Sequence, residues 1–180
     1  MNRSRKARTL ALALALLATA AACGNKPAAP LTLEMLKSTE YTSEWPADGV
    51  AELTDGTYRE KIMEGSASEI LIVMHPIYAI GDLNGDGAED AIVVLVSSGG
   101  GSGSFYTLEA VLNQDGEPKH VASVSLGDRA DLKSITVDAG TITVEMTTHG
   151  PNDPMCCPSL EVTQTYELQG ETLVQLSSDA

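Results

Sequence analysis

The chain has 180 residues and carries 25 acidic against 11 basic side chains, a net charge of −14. So acidic a surface repels phosphate backbones and anionic headgroups, which argues against nucleic acid as a partner and favours divalent cations. Most of this charge is expected to serve only to keep the domain soluble.

The first residues set an address. Arg3, Arg5, Lys6 and Arg8 form a positive start with no acid among them, and Leu10 to Ala22 is a run of Leu, Ala and one Thr. Ala20, Ala21 and Ala22 then precede Cys23. A charged start, a short apolar core and small residues at the cleavage point are the parts of a secretory signal. The 13-residue run is shorter than the roughly 20 residues a membrane-spanning helix needs. The pattern resembles the lipobox of bacterial lipoproteins, with Ala20 where Leu is usual. The resemblance implies that 1–22 is removed and that Cys23 carries the lipid. Ordinary cleavage after Ala22 is the alternative. Two or three acyl chains suffice for stable anchoring, so the expected location is the cell envelope, on the extracytoplasmic side of a membrane. Four basic residues and no acids lie in 1–22, which leaves 7 basic and 25 acidic residues and a net charge near −18. Residues 23–31 read as the lipidated cysteine and a Pro/Ala-rich tether with nothing to bury. Residues 32–180 are enough for one domain with a real core.

A short helix is expected within Thr32–Tyr41, with Leu33, Leu36 and Met35 toward one side. Beyond it the chain reads as strand, turn, strand. Ala51 and Leu53 run into Thr54-Asp55-Gly56-Thr57, and Tyr58, Glu60 and Ile62 alternate after it. Glu69 to Met74 is an apolar run broken by Pro76, which cannot donate to a ladder and marks an edge or bulge. Ile77 to Ile80 resumes the run. Ala91 to Val96 is continuously apolar, as a strand buried on both faces should be. Alternating segments then flank Asn113-Gln114-Asp115-Gly116, Asp138-Ala139-Gly140 and Gln169-Gly170. Alternation split by X-Gly turns is the hairpin signal. The expected fold is all-β: an antiparallel meander of about ten strands in five hairpins, closed as a barrel or packed as a two-sheet sandwich.

The segment with the most chemistry is Gly81-Asp82-Leu83-Asn84-Gly85-Asp86-Gly87-Ala88-Glu89-Asp90. Asp82, Asn84, Asp86 and Asp90 place oxygen side chains at positions 1, 3, 5 and 9 of a calcium loop. Gly87 stands at position 6, where the chain must turn sharply, and Ala88 can lend its carbonyl. Position 12, where an EF-hand has a bidentate Glu, is Val93, and strands rather than helices flank the loop. The segment is similar to the Asp-x-Asn-x-Asp-Gly-x-x-Asp loops of FG-GAP and integrin-type repeats. That resemblance implies a structural calcium ion and no enzymatic role. A polar hairpin loop of Asx turns without metal is the alternative.

His149-Gly150-Pro151-Asn152-Asp153-Pro154-Met155-Cys156-Cys157-Pro158 is a Pro-rich loop. In an oxidising compartment, with Cys23 given to lipid, Cys156 and Cys157 have only each other as intrachain partners. Three readings stay open: a disulfide between neighbours, two free thiols, or a soft-metal or redox site with His149 and Met155.

Other signals are weaker. Ser98-Gly99-Gly100-Gly101-Ser102-Gly103-Ser104 lacks the Gly-Lys-Ser/Thr ending of a phosphate loop and reads as a flexible connection, able to rim a site. Arg129, one of two arginines after the signal, is expected to pair with Asp128 or Asp131 and hold a turn. His75 and His120 lie in strand patterns with no acid partner evident. The segments Gly81–Asp90, Gly99–Phe105, Leu126–Arg129 and Gly150–Pro158 resemble a group of bacterial envelope proteins, a likeness that implies a β-rich secreted or lipid-anchored domain and no activity. The leading functional expectation is a calcium-stabilised binding or scaffold module, monomeric, with a protein or glycan partner left open. The alternatives are an extracytoplasmic hydrolase using carboxylates and a redox module at Cys156 and Cys157.

Overall fold

The computed structural model describes residues 28–180. The signal at 1–22 and the lipidation site Cys23 lie outside them. The described residues form an all-β domain of antiparallel strands in three sheets, with one short helix and no closed barrel.

The expected helix is the single turn α1 (Leu33–Leu36), capped by Thr32, whose hydroxyl accepts from the Met35 N–H. Leu36 is its buried residue. Two strands follow, β1 (Glu40–Thr42) and β2 (Val50–Glu52), which pair only with each other. At Asp55 and Gly56 both φ angles are positive, as a tight two-residue hairpin turn demands. The hairpin expected there is nonetheless absent beyond one bridge, Thr54 to Thr57. The Gly56 N–H goes instead to the Lys37 carbonyl, and the Gly56 carbonyl accepts from Met74. The chain therefore changes layer at this turn, and β3 (Thr57–Lys61) pairs onward with β4 (Glu69–Met74).

The main sheet runs β3-β4-β6-β7-β8, where β6 is Asp90–Ser98, β7 Phe105–Gln114 and β8 Glu117–Asp128. Pro76 breaks the strand beside β6, as its missing N–H requires. Met74 pairs with Leu95, and the His75 N–H still reaches the Val94 carbonyl. Then β5 (Ala79–Gly81) takes over beside Ile92, Ala91 and Asp90. The second sheet runs β12-β11-β10-β9 from β9 (Asp131–Asp138), β10 (Thr141–Thr148), β11 (Leu160–Leu168) and β12 (Leu173–Asp179). The twelve strands exceed the expected ten because β1 begins where the helix was expected to end and because Pro76 splits one run into β4 and β5.

Strand β6 shows why its sequence is apolar without alternation. Ile92 and Val94 enter a core between the two large sheets, with Leu108, Ala110, Ile142, Val144 and Tyr166. Ala91, Val93 and Leu95 enter a second core on the other face, with Leu36, Tyr41, Leu53 and Ile72. The main sheet is thus the middle of three layers: the β9–β12 sheet lies on one face, and α1 with β1 and β2 on the other.

Candidate functional site

The loop Asp82–Asp90 joins β5 to β6 at one end of the sandwich. Its backbone curls because short acceptor side chains capture nearby N–H groups. Asp82 Oδ1 accepts from Gly85 at 2.7 Å and Asn84 at 3.3 Å, and Oδ2 from Gly87 at 2.9 Å. Asn84 Oδ1 accepts from the Asp86 N–H at 2.9 Å, and Asp86 Oδ1 from the Ala88 N–H at 2.7 Å. The Asn84 amide donates to Asp86 Oδ2 at 2.9 Å. Gly85 and Gly87 have φ of 78° and 86°, a region where a side chain is strained.

Asp90 differs from the rest of the loop. It is fully buried. Its Oδ2 accepts from the Leu83 N–H at 2.9 Å and its Oδ1 from the Asn113 N–H at 2.8 Å. Asn113, also buried, donates its amide to the Glu89 carbonyl at 3.2 Å and the Ala29 carbonyl at 2.9 Å. The sequence does not mark it as a site residue; there it reads as the start of the next hairpin turn. Its side-chain oxygen does serve that turn, accepting from Gly116.

The electrostatics separate the two ends of the loop. Burial pushes the Asp82 carboxyl up, but N–H donors from Gly87, Gly85, Asn84 and Asp86 outweigh it and hold the group below its ordinary value. Asp90 lies above its ordinary value: burial raises it, the Asn113 and Leu83 N–H groups offset part of that, and the negative Asp86 and Asp82 raise it further. Asp82, Asn84, Asp86, Ala88 and Asp90 thus share one loop. Among the described residues, no three His, Cys, Asp or Glu side chains converge as a finished metal cage. The donor chemistry, three carboxylates and an amide with hard oxygens, fits calcium, and each carboxylate keeps lone pairs beyond its N–H partners.

A cavity of about 540 Å³ flanks the loop, lined by Asp82, Leu83 and Gly85 on one side and by Asp138, Ala139, Gly140 and Glu167 of the second sheet on the other.

The cysteine loop stands apart. Cys156 and Cys157 are exposed, with sulfurs at bonding distance and α-carbons 3.8 Å apart. Asp153 folds the loop, accepting from the Gly150 N–H at 2.8 Å and from the Ser159 N–H and hydroxyl at 2.7 Å each. The Gly150 bond and the two from Ser159 hold its carboxyl below the ordinary value. His149 Nε2 is buried without a hydrogen-bond partner.

Arg129 behaves as its position suggests. It pairs with Asp128 and donates to the Ser102 carbonyl at 2.6 Å, so the glycine-rich 98–104 connection is tied to the β8–β9 corner. Asp131 pairs with Lys133 instead. His75 turns back on its own chain, accepting from the Ile77 N–H at 3.2 Å. His120 corrects the sequence reading: it has an acid partner, Glu109, with Nε2 2.8 Å from Oε2, and both side chains are buried. The two lie on adjacent strands, β8 and β7, eleven residues apart. Only the strand register brings them together, so no local motif announces the pair.

No family model matches the chain, and no curated protein or solved structure matches it either.

Proposed function

We propose that the chain is a lipid-anchored extracytoplasmic module whose β domain is stapled by one calcium ion and which binds or scaffolds a partner instead of turning over a substrate. The observation that carries this reading is Asp90, a fully buried carboxylate next to the like charges of Asp82 and Asp86. A divalent cation relieves that repulsion. Asp82, Asn84, Asp86, the Ala88 carbonyl and Asp90 would supply its oxygens. The ion would tie the β5–β6 loop to β7 through the Asp90–Asn113 bond. With Val93 in place of a bidentate Glu, the expected Kd is on the order of 10⁻⁴–10⁻³ M, the range of extracellular modules. The anchor half of the reading rests on the lipobox-like end of the signal at Cys23.

The test is calorimetric and thermal titration of the purified chain with calcium, beside Asp86→Ala. Calcium at about ten times Kd stabilises a folded binder by roughly 1.4 kcal/mol, a rise in Tm of roughly 3–6 °C for a domain of this size. Asp86→Ala should lose both heat and shift. A chain that gives neither sinks the calcium reading. Cys23→Ser should release the protein from the membrane fraction. Continued membrane attachment of that variant sinks the anchor.

A further inference from the structure

The β1–β2 layer leaves a second cavity over the β7–β8 ribbon, of about 310 Å³, at the lower end of the size range for small-molecule sites. Its floor is polar because the register puts Glu109 opposite Ser123 and Thr107 opposite Ser125 on one face. Glu44 and Trp45, from the turn after β1, wall it. No Lys or Arg lines it.

Glu109 is the decisive group, 2% exposed. Its Oε2 takes a hydrogen bond from His120 Nε2 at 2.8 Å. The other ring nitrogen, Nδ1, accepts the Thr42 backbone N–H at 3.1 Å. A nitrogen that accepts an N–H carries no proton of its own, so the hydrogen-bond pattern assigns the ring proton to Nε2. Nε2 also has the Ala122 carbonyl at 3.2 Å, a second acceptor consistent with a proton there. Among the described residues this buried carboxylate thus has one hydrogen-bond donor and no Lys or Arg as countercharge. Glu109 Oε1 receives no hydrogen bond from any described residue. It is not sealed either, since His149 Nε2 is the one fully buried, unpartnered side-chain polar atom among the described residues. Glu109 lines the cavity, and Oε1 is the oxygen it has left for a ligand there. Burying a carboxylate without a positive partner is unfavourable, and a ligand that brings the charge removes that cost.

We infer that this cavity binds a primary ammonium group on an alkyl chain, with Glu109 Oε1 as its countercharge and hydroxyls of Thr107, Ser123 and Ser125 as further acceptors. An ammonium has three N–H donors, which matches an acceptor-only carboxylate among hydroxyl oxygens. Trp45 offers an aromatic wall, which favours cations and packs alkyl carbons. The acidic surface of the chain raises the local concentration of cations. The chemistry could come from a free diamine or from a lysine side chain. The site shares no residue with the calcium loop.

Trp45 is the sole tryptophan of the chain, so its emission reports on this cavity directly. The purified full-length product is titrated in EDTA, which removes any dependence on calcium. The probes are cadaverine, Nα-acetyl-lysine methylamide, tetramethylammonium and glucose, at constant ionic strength. A saturable change with cadaverine or the lysine derivative supports the inference, and the tighter of the two identifies the source. Glu109→Gln should weaken it at least tenfold. Ser123→Tyr, at an exposed position on the floor of the cavity, should block it and abolish the response. Overturning results are no saturable change with either amine, tighter binding of tetramethylammonium or glucose, or an amine response that Ser123→Tyr leaves intact.

Discussion

Gly81 packs against Val137 so closely that a β-carbon built on Gly81 would lie 2.6 Å from Val137 Cγ1 and 2.8 Å from its Cβ. The contact joins the end of β5 to β9, one residue before the candidate metal loop. Real side chains do not approach so closely, and turning Val137 to another rotamer leaves its Cβ in place, so Gly81→Ala must push the two sheets apart. Overpacking of this kind costs typically 1–3 kcal/mol. Chemical denaturation should place Gly81→Ala that far below the parent chain. Val137→Gly, which removes the Cβ as well as both Cγ methyls, should make the loss in the double variant smaller than the sum of the two single losses. Single losses that simply add in the double variant rule out the steric account.

Asp90→Ala tests a different debt. The carboxylate satisfies the Leu83 and Asn113 N–H groups at once, and truncation orphans both in a buried place. Each unsatisfied buried donor costs about 1–3 kcal/mol, so the variant should lose at least about 2 kcal/mol even in EDTA. Asp86→Ala, on the exposed side of the loop, should cost far less without calcium. Equal losses in EDTA would show that Asp90 has no special structural role.

The contrast between those two aspartates shows what was legible in the sequence. The spacing Asp82, Asn84, Asp86, Asp90 with Gly87 is local, and so are the Asx turns it encodes. The all-β class, the helix near Leu33–Leu36 and the doubly buried strand at Ala91–Val96 were legible for the same reason: period and turn chemistry act over a few residues. What the sequence hid depends on register between strands. That Asp90 holds Asn113, 23 residues away, follows from β6 pairing with β7. The Glu109–His120 pair and the layer change at Gly56 have the same origin. An Asp-Gly turn fits a hairpin in isolation, and only the competing bonds from Lys37 and Met74 redirect it.

The pH dependence of calcium binding follows from the two carboxyls of opposite shift. Asp90 sits above its ordinary value of about 3.8. A raised carboxyl favours the fold while protonated, below the unfolded value, and that contribution is lost as pH rises through the folded one. Asp82 sits below its ordinary value, so its contribution is present above the unfolded value and is lost as pH falls through the lower folded one. Calcium needs both groups ionised, and Asp90 takes up its proton first on acidification. The calcium-induced rise in Tm should therefore be greatest near neutral pH and fall away toward about pH 4. Thermal scans with calcium and with EDTA across that range check it. An increment of equal size at both ends removes Asp90 from the ligand set.

The last prediction concerns the cysteine loop. Adjacent α-carbons 3.8 Å apart fall below the usual disulfide separation of about 4.4–6.8 Å, so a bond between Cys156 and Cys157 constrains the peptide between them. The loop has its own fold independent of that bond, because Asp153 gathers Gly150 and Ser159. Both sulfurs belong to exposed residues, open to thiol exchange. The protein from an oxidising compartment is therefore expected to carry the disulfide and to gain about 2 Da in intact mass on mild reduction. Its Tm should fall by little, since closing a loop between neighbours removes almost no unfolded-state entropy. Asp153→Ala should lower the Tm more than reduction does, by losing three hydrogen bonds at once. Free thiols in the untreated protein would exclude the disulfide. A large drop in Tm on reduction would instead assign the stability of the loop to the sulfurs and not to Asp153.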